Sequence, residues 1–176
     1  MVRYRRNFLP GGSYFFTVAL ADRRARTLVE RIDDFRRSLR AAQASRPFDI
    51  DAIVVLPDHL HAIFTLPEDD ADYSGRWRAI KSGFTRTIVA DEPRLRPNRK
   101  GEYRLWQRRF WEHTLRDEGD FARHADYIHF NPVKHGYVKR VADWPHSSFH
   151  RFVRNGALPA DWGTTDDSDI DFGEPR

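Results

Sequence analysis

Two histidines separated by one residue, His59 and His61, and a tyrosine followed four residues later by an amide, Tyr127 and Asn131, are the groups whose types and spacing could do chemistry. In a strand alternate side chains share a face, so His59-Leu60-His61 would point both imidazoles the same way. Two neutral imidazoles side by side make half a site for a divalent cation. Taken alone, the pair reads more readily as two polar residues on a solvated sheet face. Helical spacing puts Asp120, Arg123, His124, Tyr127 and Asn131 on one polar face, opposite Phe121, Ala125 and Ile128. A tyrosine there is either an amphipathic surface residue or, with Asn131 one turn on, half of a pair presenting a phenol and an amide oxygen to one centre.

A phenol, with a pKa of about 10, is a weak nucleophile until a charge or base helps it lose its proton. A cation on a scissile phosphate would neutralise developing charge and orient the phosphorus for in-line attack. Attack by tyrosine would leave a covalent phosphotyrosine, which conserves the phosphodiester energy and permits rejoining, as hydrolysis does not.

Hydrophobic periodicity outlines the scaffold such residues need. Ser13 to Leu20, an aromatic and β-branched run behind Gly11-Gly12, reads as a strand. Leu28, Ile32, Phe35 and Leu39 set an amphipathic helix over 27–44. Apolar runs at Ile53–Leu56 and Ala62–Leu66, around Pro57-Asp58, read as a hairpin or an interrupted pair of strands. Trp77, Ile80, Phe84 and Ile88 give a second helix, residues 91–101 an exposed basic loop, and the aromatic-rich 103–115 one or two strands. A third helix from about Asp117 is expected to end near Asn131, because Pro132 disfavours helical geometry in the residue before it. Trp144-Pro145-His146-Ser147-Ser148 begins a last ordered segment. Together these elements predict an α+β fold with helices packed on an antiparallel sheet, most simply a ferredoxin-like split βαβ plan. One domain is expected over 1–158, followed by an acidic, loosely held tail at 159–176.

With 40% hydrophobic and 32% charged residues, the chain reads as globular and soluble. Its longest apolar stretch, Ile53–Leu56, falls far short of the roughly 20 residues a membrane helix needs. The charged start, Met1 to Arg6, is not followed by the apolar segment of a secretory signal, so a cytoplasmic protein without membrane association is expected. Absence of cysteine excludes disulfides and thiolate zinc, leaving histidine, carboxylate and amide groups to hold any metal. The formal charge of +4 hides an asymmetry: the tail is acidic and the body carries clustered arginines. Such clusters are the footprint of a polyanion-binding surface, or simply an arginine-rich composition solvating helix faces. Arg94, Arg96, Arg99 and Lys100 in the loop, with Arg108 and Arg109 beyond it, are the candidate phosphate contacts. Trp106, Phe110 and Trp111 are placed to stack on unpaired bases or to fill the core. His113 and His129 could orient a ligand or phosphate, or be structural.

Several segments resemble the single-tyrosine HUH transposases, most closely the REP-associated tyrosine transposases of bacteria. The resemblance is carried by Tyr14-Phe15-Phe16-Thr17, by Leu56-Pro57-Asp58-His59-Leu60-His61, by Trp106-Gln107-Arg108-Arg109-Phe110-Trp111-Glu112-His113, and by the run from Tyr127 through Asn131-Pro132-Val133-Lys134-His135 to Gly136. Order and spacing agree over roughly residues 5 to 155. The resemblance implies a ferredoxin-like fold acting on single-stranded or hairpin DNA, with His59 and His61 as metal ligands and Tyr127 as the nucleophile. Cleavage would give a 5′-phosphotyrosine and a free 3′-hydroxyl. Many relatives place a glutamine one turn after the tyrosine to complete the metal site; here Asn131 takes that place as third ligand. Family metals are Mg2+ or Mn2+, and mixed nitrogen and oxygen donors suit Mn2+. Monomer and homodimer both remain open. Of the rivals, a relaxase carries its histidines among different motifs, and a His-triad hydrolase would need histidine where Ile63 stands. A non-catalytic, sequence-specific DNA-binding module is the alternative outside enzymes.

Overall fold

A computed structural model describes residues 7–92 and 95–163. The central strand β1 (Ser13–Ala19) pairs antiparallel with β3 (His59–Thr65) on one side and β4 (Trp111–Thr114) on the other. Outside β3 lies β2 (Asp49–Val55), giving the order β2-β3-β1-β4. Two short helical pieces, α1 (Thr27–Glu30) and α2 (Ile32–Ser45), connect β1 to β2, and α3 (Tyr73–Asp91) connects β3 to β4. This is the split βαβ, ferredoxin-like plan the sequence predicts.

Alternation along β1 sends Tyr14, Phe16 and Val18 to one face, where they join Leu60, Ala62 and Phe64 of β3 beneath Phe35 of α2 and Trp77, Ile80 and Phe84 of α3. Phe15 points to the other face and packs with Val54, Ile63 and three residues of α4 (Glu118–Lys134): Ala125, Tyr127 and Ile128. Both faces of the sheet are therefore covered by helices. The Trp144–Ser148 segment then closes the open edge of β2: Val55 N–H donates to His146 O (2.9 Å), Ser148 N–H to Ile53 O (2.8 Å) and the Trp144 indole to Val55 O (3.0 Å). A short α5 (Phe149–Arg154) follows.

Two expectations are revised, and two open alternatives are narrowed. The helix over 27–44 is broken at Arg31, which leaves helical geometry (φ −116°, ψ 35°) and ties Asp34 to Asp91 at the end of α3. Within 103–115 only Trp111–Thr114 form a strand. Trp106 and Phe110 pack against the α2/α3 core and Trp111 against the second core, so all three contribute to packing. Finally, α4 continues through Pro132 to Lys134. A proline there removes one backbone donor, and a Schellman closure holds the last turn, with Gly136 N–H on Val133 O and Tyr137 N–H on Pro132 O, both 2.9 Å. Gly136 takes the left-handed φ of 71° that this closure requires.

Of the acidic tail, Trp162 lies beside Phe149 and edge-on to His129, with ring centroids 6.1 and 6.3 Å away; residues 164–176, where most of the acidic charge falls, lie outside the described residues. No helix among the described residues is long and apolar enough to cross a membrane.

Candidate active site

The turn Leu56-Pro57-Asp58-His59 closes the β2–β3 hairpin, with Leu56 N–H donating to His59 O (2.8 Å) and proline in the second turn position its fixed φ favours. Two outward carbonyls of the turn are also used. Asp58 O accepts from Leu20 N–H (2.7 Å) and Pro57 O from Leu28 N–H (3.1 Å), locking the turn to the exit of β1 and to α1. His59 and His61 emerge from it on the α4 face, each 4% exposed, with ring centroids 5.1 Å apart. They share a face, as the strand period requires, but it is buried rather than solvated.

Each imidazole has a partner on Nδ1. Antiparallel register sets Thr17 of β1 opposite His61, and its Oγ1 lies 2.9 Å from His61 Nδ1. The buried Asp58 carboxylate lies 2.8 Å from His59 Nδ1 through one oxygen and pairs with Arg23 Nε (2.9 Å) through the other. When Nδ1–H donates to these oxygens, Nε2 of each ring keeps its lone pair, the tautomer a metal ligand needs. The Nε2 of His61 is buried and has no hydrogen-bond partner. Burial, reinforced by the charges of His59, His135, Lys134 and Arg23, holds His61 well below the ordinary histidine pKa. Burial lowers His59 as well, against the opposing pull of Asp58. Both rings are thus kept neutral at neutral pH.

The Asp117 side chain caps α4 by accepting from Asp120 N–H (2.7 Å). Tyr127 then lies with its ring centroid 5.0 Å from that of His61 and 5.8 Å from that of Phe15. The polar stripe is turned onto the sheet and not to solvent: Tyr127 is 8% exposed and Asn131 fully buried. The Lys134 ammonium sits 5.1 Å from the Tyr127 ring centroid. Neither atom of the Asn131 amide has a partner. A buried amide without hydrogen bonds costs on the order of 1–3 kcal/mol, which a cation at its oxygen would offset. The unpartnered His61 Nε2 and Asn131 amide, with neutral His59 nearby, therefore fit a divalent cation taking nitrogen and oxygen donors.

Sequence reasoning missed Thr17 and His135. The first is visible only through strand register. The second caps α4 with its ring 5.3 Å from that of His59. Its signal is the helical spacing from Tyr127, which an expected helix end near Asn131 hides.

A second donor cluster joins β4 to α4. His113 Nε2 lies 2.9 Å from Asp120 Oδ2, and His124 Nδ1 lies 2.8 Å from Asp120 O and 3.2 Å from Oδ1. Their ligand atoms fall within 4.8 Å of one another, a set able to hold a metal ion. Burial opposes the Asp120 charge, but hydrogen bonds from His113 and the Arg116 N–H outweigh it and keep the Asp120 pKa low. His129 has a structural setting, bonded to Ser148 Oγ (2.9 Å) inside the protein, where burial pushes its pKa down to about 4.

Arg96, Arg99, Lys100, Arg108 and Arg109 are all exposed, and Arg94 lies outside the described residues. Arg108 lines a cleft of about 910 Å3 with Arg78, Lys81 and Arg86 of α3. That cleft is built on the α2/α3 side of the sheet, whereas the histidine pair and Tyr127 occupy the other side.

A four-stranded antiparallel sheet presenting a histidine pair to a tyrosine on a covering helix defines a class, the tyrosine transposases, enzymes that act on DNA. No family model matches the chain. Over 174 residues it is 46% identical to the REP-associated tyrosine transposase of Escherichia coli, covering 99% of this chain and 98% of the relative. It is 47% identical over 173 residues to a Haemophilus influenzae protein named for the same family, covering 97% of this chain and 98% of that one. A solved structure of a REP-associated tyrosine transposase bound to a REP hairpin matches with a TM-score of 0.83 at 46% identity, over 94% of each chain. The chain belongs to the REP-associated tyrosine transposases.

Proposed function

We propose that the protein nicks and rejoins hairpin or single-stranded DNA through Tyr127, with a divalent cation, Mg2+ or Mn2+, held by His59, His61 and Asn131. The observation that carries this reading is the buried Tyr127 beside a histidine whose Nε2 has no protein partner. When bound, the cation would neutralise charge on the scissile phosphate. Thr17 and Asp58 hold the histidines in the ligand tautomer, and the Lys134 ammonium lies over the phenol ring. Tyr127 Oη bonds to phosphorus as the bond to the 3′ oxygen breaks; the phenol loses its proton and the 3′ oxygen gains one. The products are a 5′-phosphotyrosine and a free 3′-hydroxyl, and attack by that hydroxyl reverses the step.

The relative solved with a REP hairpin supports a hairpin substrate. Arg94, Arg96, Arg99, Lys100, Arg108 and Arg109 are the proposed phosphate contacts. The test incubates wild type and Tyr127→Phe with labelled hairpin DNAs carrying single-stranded flanks, with Mn2+, followed by denaturing electrophoresis. A covalent protein–DNA band that requires both tyrosine and metal is expected. A band persisting in Tyr127→Phe would assign the nucleophile elsewhere, and wild type that binds hairpins without ever forming one would be a DNA-binding module without chemistry.

A further inference from the structure

His113, on the edge strand β4, pairs in register with Phe15, while Asp120 and His124 stand one turn apart at the start of α4. Among the described residues, these three are the one set of histidine or carboxylate side chains whose ligand atoms all fall within 4.8 Å of one another. His113 Nε2 lies 2.9 Å from one Asp120 oxygen and His124 Nδ1 3.2 Å from the other, close to the roughly 3.3 Å between donors around a tetrahedral zinc ion. Asp120 is buried and both histidines are part-exposed, which leaves an ion a way in from solvent. Arg123, 3.4 Å from Asp120 and largely exposed, can swing aside for it. Phe15 separates this cluster from the histidine pair, its ring centroid 4.8 Å from that of His124 and 5.6 Å from that of His61.

We propose that His113, Asp120 and His124 form a second metal site, a zinc clip between β4 and α4 with water as its fourth ligand. It stands independently of the reading of His59 and His61. Two imidazoles and a carboxylate are a donor set that zinc takes in three-ligand sites, whereas Mg2+ keeps oxygen ligands and water. Ring N–H groups of both histidines face Asp120, His113 Nε2–H donating to its carboxylate (2.9 Å) and His124 Nδ1–H to its backbone oxygen (2.8 Å). Zinc takes the place of both protons, which move to the other ring nitrogens, so neutral rings need only change tautomer. The rings are 4.8 Å apart and within 17° of parallel, so one must turn to aim its lone pair at the ion; His124 does so by giving up its bond to the backbone oxygen. The clip fixes the first turns of α4 against the sheet, and Tyr127 lies about one turn further along the same helix.

The experiment is calorimetric titration of Zn2+ into the full-length protein carrying His61→Ala, which disables the histidine pair, alone and combined with His113→Phe or Asp120→Asn. Phenylalanine keeps a ring to stack on Trp111 and His124 and removes the nitrogen; asparagine keeps an acceptor of similar shape and removes the charge. Thermal unfolding without metal checks that each variant folds, and the visible spectrum of the Co2+ form reports tetrahedral coordination. The His61→Ala protein should bind one equivalent of Zn2+. Each added substitution should weaken that binding by at least about tenfold, the lower end of what even an outer-shell partner contributes, and diminish the Co2+ absorption. A folded His61→Ala protein that takes up no Zn2+ overturns the proposal. Uptake that either added substitution leaves unchanged also overturns it, because the three side chains then serve only as a hydrogen-bonded network.

Discussion

Replacing Thr17 by valine tests the proposed metal site through a residue that would not touch the metal. Valine keeps the shape and β-branching of threonine and removes only the oxygen 2.9 Å from His61 Nδ1. Two consequences follow. The Nδ1–H of a buried ring loses its acceptor, a destabilisation on the order of 1–3 kcal/mol. At about 2–4 °C per kcal/mol for a chain of this size, the melting temperature should fall by several degrees. The ring is also free to adopt the tautomer with the proton on Nε2, which cannot ligate, and loss of such an outer partner lowers metal affinity about 10–100-fold. That ratio corresponds to roughly 1.4–2.8 kcal/mol of binding free energy. Calorimetric titration with Mn2+ reads the second effect and thermal unfolding the first. Thr17→Ser, which restores the oxygen, should recover most of both. Wild-type Mn2+ affinity in Thr17→Val, or an equal loss in Thr17→Ser, would refute the orienting role.

Three further outcomes follow from the geometry. Burial lowers His129 from 6.5 to about 4, so the unfolded chain binds a proton that the folded one refuses. Stability should therefore be lost as pH falls from about 6.5 to about 4, on the order of 3 kcal/mol, and urea unfolding of His129→Leu should lack that part of the slope. Charge reversal of Lys100 and Arg108 should weaken hairpin binding whatever the sequence and flatten its salt dependence by somewhat under one logarithmic unit per lost contact; unchanged affinity would remove both from the interface. At Gly136, φ is 71° and an added Cβ would meet nothing within 4 Å, so Gly136→Ala should cost about 1–2 kcal/mol through backbone strain alone, read by thermal unfolding.

Local periodicity and tertiary context divide what was legible. The strands β1 to β3, the helix α3 and the shared face of His59 and His61 depend on spacing within one segment, which a sequence displays. Burial of that face does not, because it takes α4 from 60 residues further on to cover it. The same limit explains Tyr127. Polar residues at helical spacing ordinarily mark a solvated side, and here they mark the side turned toward two histidines. Thr17 and His135 depend on strand register and on a helix terminus, and register and caps are set by partners distant in sequence or by the chain's exit path.

A polar stripe facing a buried sheet is costly unless its groups are paired, and most of this one is: Asp120 with His113 and His124, and the histidines with Thr17 and Asp58. Asn131 stands apart, with neither amide atom partnered. If the cation supplies the missing partner, Asn131→Leu, close in volume and without polar atoms, should be more stable than wild type without metal, by an amount approaching the ~1–3 kcal/mol cost of the orphaned amide. The wild type should gain stability as Mn2+ is added, by about 2.7 kcal/mol at one hundred times the dissociation constant, and Asn131→Leu should gain much less at the same concentration. Thermal unfolding with and without Mn2+ gives all four values. An Asn131→Leu protein less stable than wild type without metal, yet equally stabilised by it, would mean that the amide serves packing alone and that the site closes without it.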